Sequence, residues 1–338
     1  MKRLFKKHPF FLQVVVILLP FGLFPVLDAN AYHIDLMTNV GIYVLLAMGL
    51  NVVVGYTGLL NLGYAAFFAI GAYTYALLNL RTGCPFWTAL PAAGLVAMIF
   101  GFVIGLPSIR VRGDYLAITT LGFGEIVRIA FNNLDRWTGG PNGLLGIERP
   151  RLWYLGMKNG VRLEIFKFSV HATPYFYLVL VFVGVTAYLL FRMSDSKFGR
   201  ALVAIREDEL AASCMGIPTL WIKLQAFGLS AFIAGIAGAV FAAKQTIITP
   251  DSFDFVLSVL ILAMVVLGGL GNIWGAALGA LILGVLPEVL RGLASYRMLI
   301  FGLLMILVMI FRPQGILGGQ LIKRELQPPP KEAADAAS

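Results

Sequence analysis

Between Asp35 and Arg81 the chain runs 45 consecutive residues (36–80) without an Asp, Glu, Lys or Arg, and Gly-Tyr-Thr-Gly, Gly55–Gly58, sits near the middle. As one helix rising about 1.5 Å per residue this run would be roughly 68 Å long, more than twice a hydrocarbon core of about 30 Å. It therefore predicts two membrane spans joined at a glycine turn. Further charge-free runs lie at 8–27, 82–109, 168–191, 224–243, 255–287 and 298–311. In lipid each backbone N–H and C=O needs a partner within the protein, so such runs form helices packed in a bundle. Only 13% of residues are charged and 59% are hydrophobic. Soluble domains carry about a quarter charged residues, and so few charges cannot cover a water-facing surface. The predicted fold class is all-α, a single polytopic transmembrane helical bundle.

Ten spans account for the runs: 9–27, 34–54, 59–80, 86–106, 115–131, 174–192, 224–243, 253–268, 272–290 and 297–311. Met1–Leu27 has the basic start of a signal peptide (Lys2, Arg3, Lys6, Lys7) but a long apolar run and no clean small-x-small cleavage site, so it reads as a retained first span. With the N-terminus in the cytoplasm, alternation places 15 Lys and Arg inside and 10 outside, six of the latter in the long 132–173 loop, where charge counts less. Both termini are expected in the cytoplasm, including the 313–338 tail, and the external loop is 132–173. The net charge of +9 sits mostly in short segments beside spans. That is the pattern of lipid-headgroup contact rather than of nucleic-acid binding. Cys84 and Cys214 fall on opposite sides and form no disulfide or metal motif, and His8, His33 and His171 form no cluster. The fifth span, with Glu125 and Arg128, and the pair around 253–290, broken at Gly268-Gly269-Leu270-Gly271-Asn272, are the ones that could be re-entrant. Glycine-interrupted apolar segments at Gly55–Gly63 and Gly268–Gly279 hint at two structural repeats, an arrangement in which transporters place broken helices on the pathway.

The segment 194–223 is different. It is charge-rich and helix-prone, with one helix expected from about Arg200 to Met215, Gly216 placed to end it and Pro218 beyond. Such a helix either rests on lipid or is gripped by another protein. Glu207-Asp-Glu209-Leu-Ala211-Ala212, then Gly216 and Ile217, resembles the cytoplasmic EAA-type loop of ABC-importer permeases. Gly49–Tyr73, Gly113–Arg128, Thr138-Gly-Gly-Pro-Asn-Gly143, Gly199-Arg-Ala201 and Ile205–Glu209 are similar, in order, to the branched-chain amino acid permeases, M-type subunits of leucine/isoleucine/valine importers. The resemblance covers about 40–320, nearly the whole chain. It implies import of hydrophobic amino acids across the bacterial inner membrane, with an H-type second permease, two ATP-binding subunits and a periplasmic binding protein. It also implies that Arg200, Arg206, Glu207, Glu209, Ala211, Ala212 and Gly216 dock on the ATPase. The sequence holds no Gly-x4-Gly-Lys-Ser/Thr phosphate loop. The chain is accordingly expected to be no enzyme, with ATP and magnesium bound by the partner ATPases and no cofactor of its own.

Charges at bilayer depth cost roughly 2.5–3.5 kcal/mol each on insertion scales, so Glu125 and Arg128 ask for a reason. Three residues apart, they can neutralise each other and hold the bundle, or they can meet the zwitterion of a passing amino acid. Glu288 and Arg291 repeat the spacing at a span end. Asn51, Tyr56, Asn61, Tyr64, Thr119 and Thr120 offer polar groups without charge among small residues, as interhelical glue or as pathway. Related permeases for urea and short amides, other amino acids or monosaccharides stay open as alternatives. So does a gradient-driven secondary transporter using Glu125, whose cytoplasmic helix would then be idle.

Overall fold

The computed structural model describes residues 30–108, 113–150 and 172–291, together with 21–22, 24–25, 111, 157–158, 161–162, 299–300, 302–303, 306, 310–311 and 315–318. The predicted spans 9–27 and 297–311 and the 313–338 tail fall largely outside these residues. Eleven α-helices run through the described chain: α1 (Ala31–Thr57), α2 (Tyr64–Thr82), α3 (Phe86–Ser108), α4 (Asp114–Asn133), α5 (Asp135–Thr138), α6 (Ala172–Ser194), α7 (Lys197–Glu207), α8 (Glu209–Cys214), α9 (Thr219–Gln245), α10 (Phe255–Gly268) and α11 (Ile273–Val289). The spans expected between 34 and 290 each correspond to one of the longer helices. Among the described residues, five stretches are long and apolar enough to cross a membrane: Ala31–Thr57, Phe86–Pro107, Thr173–Ser194, Thr219–Gln245 and Pro250–Gly268.

Two helices form the centre. α1 is buried from Val44 to Thr57 without interruption. α9 packs along α3, α2 and α1. Small residues permit this closeness: a Cβ on Gly235 of α9 would fall 2.6 Å from the Ala97 Cβ of α3, the kind of approach that drives helix association where lipid offers no hydrophobic contrast. Ser230 of α9 donates to the Gly49 carbonyl of α1 (2.7 Å) and accepts on its own carbonyl from Tyr64 Oη (3.1 Å), so α1, α2 and α9 share one buried polar node.

The glycine turn lies later than the sequence indicates. α1 continues through Gly55 to Thr57, and Gly58, at φ +72°, ends it. Gly55 is instead a point of close approach, where an added Cβ would meet the Gly271 backbone nitrogen at 2.5 Å. Residues 58–63 then run without helix to α2.

α10 and α11 form a hairpin. Their 14 and 17 residues span only about 21 and 26 Å, less than a full hydrocarbon core of about 30 Å. Its turn meets Asn51, about 9 Å of helix rise before Thr57, so the hairpin stops short of the end of α1. Residues 316 and 317 close against it, donating to the Leu267 and Gly268 carbonyls at 2.9 Å each. At the other end of the bundle, strands β1 (Leu144–Leu145) and β4 (Ile247–Ile248) pair antiparallel with Leu144 opposite Ile248, fastening the 139–148 loop to the connection between α9 and α10. A second short hairpin pairs β2 (Met157–Lys158) with β3 (Val161–Arg162). Lys244, nearly buried, bonds Asp35 and Asn39 there, tying α9 to the start of α1.

Candidate functional site

The interruption between α1 and α2 places backbone donors inside the bundle, and three of them find side chains. Leu62 N–H donates to Thr120 Oγ1 of α4 (3.1 Å), Gly63 N–H to Asn61 Oδ1 (3.0 Å) and Ala65 N–H to Ser258 Oγ of α10 (2.9 Å). The start of α2 is therefore capped by three segments of the chain. Asn51 Oδ1 accepts from Gly271 N–H (2.9 Å), joining the two glycine-interrupted segments that the sequence hinted were related. Asn51 Nδ2, Asn61 Nδ2 and Tyr73 Oη are buried and have no hydrogen-bond partner among the described residues. Such orphans cost about 1–3 kcal/mol each.

Of the predicted pathway residues, Asn51, Tyr56, Asn61, Tyr64 and Thr120 are all buried: Asn61 and Thr120 meet at the start of α2, whose first residue is Tyr64, Asn51 meets the α10–α11 turn, and Tyr56 lies instead beside Ser194 at the end of α6. Thr119 is not: one position along α4 it faces outward, and its hydroxyl donates to the Leu116 carbonyl. Glu125 and Arg128 pair as their spacing indicates, with Arg128 Nε 3.1 Å from both Glu125 carboxylate oxygens. The structure adds a third member. Arg128 Nη1 reaches Asp251 Oδ1 at 3.3 Å, so one guanidinium bridges α4 and the turn before α10. Asp251 stands 123 residues away in sequence, and no local spacing could have signalled it. At the end of α11 away from the hairpin turn, Arg291 pairs with Glu288 at 3.6 Å, and Tyr32 Oη donates to the same carboxylate.

The outer faces of the helices differ in kind. α3 shows Leu95, Ile99, Val103 and Leu106, and α6 shows Val181, Val185 and Leu189. α4 shows Tyr115, Ile118, Thr119, Ile126 and Ile129, with Glu125 37% and Arg128 29% exposed at its edge. The first two faces suit lipid; the α4 face, with a partly exposed ion pair at its edge, suits a protein or a polar passage.

The 194–218 segment departs from its predicted form. In place of one helix from Arg200 to Met215 there are two, α7 and α8, broken at Asp208 (φ −155°, ψ 110°). Asp208 turns its carboxylate onto Leu210 N–H (2.8 Å) and Ala211 N–H (3.0 Å), an N-cap whose bonds an uninterrupted helix would not make. Ser196 starts α7 in the same way, accepting from Gly199 N–H at 3.2 Å.

Several residues expected to dock on the ATPase instead pack or bond within the chain. Ala212 is buried, as are Leu202 and Ile205 of α7. Glu209 pairs with Lys223 of α9 at 2.5 Å, the lysine being only 4% exposed. Arg206 Nη1 donates to the Gly55 carbonyl of α1 at 2.7 Å, while Arg200 Nη1 donates to the Asp195 carbonyl within the segment. Glu207, Ala211 and Gly216 remain exposed. The tip carries two residues the sequence reading passed over, Leu210 at 75% and Met215 at 83% exposure. An apolar residue just after the acidic cap, and another just before Gly216, were the available signals.

Residues 32–309 match the family described as branched-chain amino acid transport system / permease component. The chain is 48% identical over 295 residues to the high-affinity branched-chain amino acid transport system permease protein LivM of Salmonella typhimurium, covering 84% of this chain and 69% of that protein. It is 28% identical over 338 residues to the probable LivM of Methanocaldococcus jannaschii, covering 84% and 94%. It is also 28% identical over 290 residues to the permease protein LivH of Escherichia coli K12, covering 82% and 91%. No solved structure matches. A helical bundle with interrupted helices, a two-helix loop on one face and a match over most of its length identify this chain as a member of the branched-chain amino acid transport permease family.

Proposed function

We propose that this chain is the M-type permease subunit of an ATP-driven importer of branched-chain amino acids, inserted in the inner membrane with the 194–218 loop and both termini in the cytoplasm. The observation that carries the reading is the 48% identity to LivM. The physical arrangement supports the division of labour. The chain has no phosphate loop, so hydrolysis and the binding of ATP and magnesium belong to two separate ATPase subunits, which grip the exposed tip around Leu210, Ala211, Met215 and Gly216.

A second permease covers the α4 face. Likeness to both LivM and LivH fits a pair of homologous permeases meeting on equivalent surfaces, with the passage between them. Glu125, Arg128 and Thr119 border that passage, and the buried residues Asn51, Tyr56, Asn61, Tyr64 and Thr120 support it. Substrate is delivered by a periplasmic binding protein at the face that carries the 139–148 loop. Selectivity then rests largely with that receptor, since an apolar passage with few charges releases what it admits.

The test is uptake by proteoliposomes holding both permeases and the ATPases, with receptor supplied outside and a panel of labelled solutes. ATP-dependent accumulation of leucine, isoleucine and valine is expected, with urea and monosaccharides excluded. Uptake of urea or a short amide in place of the amino acids would overturn the substrate assignment.

A further inference from the structure

Arg206 belongs by sequence to the loop proposed to meet the ATPase, yet its guanidinium, on a side chain still exposed, reaches back to the end of α1. α1 ends at Thr57, and its last carbonyls need donors from outside the helix. Gly58 N–H takes the Val54 carbonyl at 3.2 Å. The next donor, Leu59 N–H, turns to Thr57 Oγ1 at 3.4 Å and leaves the Gly55 carbonyl to Arg206 Nη1 at 2.7 Å. A cation thus sits at the negative end of the helix macrodipole. Its aliphatic stem lies against Gly58, where an added Cβ would come 3.4 Å from Arg206 Cγ. One turn earlier on α1, Asn51 holds Gly271 N–H at 2.9 Å and with it the turn between α10 and α11.

The geometry points to Arg206 as a positioning residue that carries movement of the ATPase-facing loop into α1, and through Asn51 into the α10–α11 hairpin. This rests on the proposed function of the preceding subsection. The hydrophobic contact of Leu202 and Ile205 holds α7 near the bundle but allows sliding. A charge-assisted hydrogen bond to a fixed carbonyl does not, and it locks α7 to α1, one of the two central helices of the bundle. Arg206 is therefore a strut within the permease and not a contact to the ATPase.

The experiment uses the complete reconstituted complex and reads three quantities: ATPase subunits retained on purification, ATP hydrolysed, and amino acid taken up per ATP. Arg206→Gln is expected to retain the ATPases and to hydrolyse ATP within about twofold of wild type, while uptake per ATP falls about tenfold. Arg206→Lys, which keeps a cationic donor, is expected to recover part of that ratio. Unchanged uptake per ATP in Arg206→Gln overturns the proposal, and so does loss of the ATPases, which would make Arg206 a docking residue. Should Arg206→Gln fail to assemble, Gly58→Ala decides. It keeps the arginine but strains the φ +72° turn beneath its stem, and uptake per ATP is expected to fall about threefold with the ATPases retained; a wild-type ratio overturns the strut. A wild-type complex that hydrolyses ATP and imports no branched-chain amino acid would refute the functional reading itself, before any variant is compared.

Discussion

Arg128 holds two carboxylates at once, and that asymmetry makes its role testable. Removing Glu125 leaves the guanidinium with Asp251; removing Arg128 leaves two acids near each other without a cation. Exposed pairs contribute about 0–1 kcal/mol and breaking a buried pair costs about 3–5 kcal/mol. With Glu125 and Arg128 a third exposed in the lone chain and covered by a partner in the proposed assembly, about 1–3 kcal/mol is expected for Arg128→Met and less for Glu125→Gln. The double substitution should recover much of the loss. Thermal stability of the assembled complex in detergent checks this ordering. If all three variants keep wild-type stability while uptake slows, the pair lines the pathway and does not hold the bundle.

At the scale of single helices, the loop proposed to meet the ATPase is where sequence and structure part most clearly. Helix propensity reads 200–215 as one helix because Glu, Leu and Ala are good formers throughout, and Gly216 followed by Pro218 gives an unmistakable stop. Asp208 overrides that propensity by capping a new helix, and the break reverses which side chains face outward. Ala212, which reads as a small contact residue for a partner, packs inside the chain, and Glu209 is already paired with Lys223. The exposed apolar pair Leu210 and Met215 becomes the better contact. Leu210→Asp and Met215→Asp are each expected to reduce ATPase co-purification at least fivefold while leaving the melting temperature of the permease pair unchanged. Ala212→Trp should lower that melting temperature instead, through overpacking. Gly216, at φ +80° with open space about it, has only its backbone to lose. Gly216→Val should weaken ATPase retention, and Gly216→Asn, which tolerates the left-handed region, should restore it.

Over the whole molecule the spans were legible because apolar runs of that length permit little besides a helix across lipid. The eight helices that correspond to the spans expected between 34 and 290 begin and end within about five residues of their expected limits. The resemblance of Gly49–Tyr73 and Gly113–Arg128 to a permease family carried the identification. Relations between distant segments were not legible. Asp251 reaching Arg128, Ser258 capping α2, and Gly271 bonding Asn51 depend on how the hairpin seats against α1, which no local pattern encodes. The same holds for the contrast between the apolar outer faces of α3 and α6 and the charged face of α4, which needs the packed bundle before any residue can be said to face out. That contrast is what supports the second permease proposed to cover α4.

The central claim is that this chain supplies a passage and a lever but no energy, and reconstitution of the purified chain by itself measures this most directly. Liposomes holding it alone, tested with labelled leucine under imposed proton and sodium gradients, are expected to show no uptake above empty liposomes. Adding the second permease, the ATPases with internal ATP, and the receptor outside should produce accumulation against a gradient. Ion-driven accumulation by the chain alone would contradict the account and place it among secondary transporters.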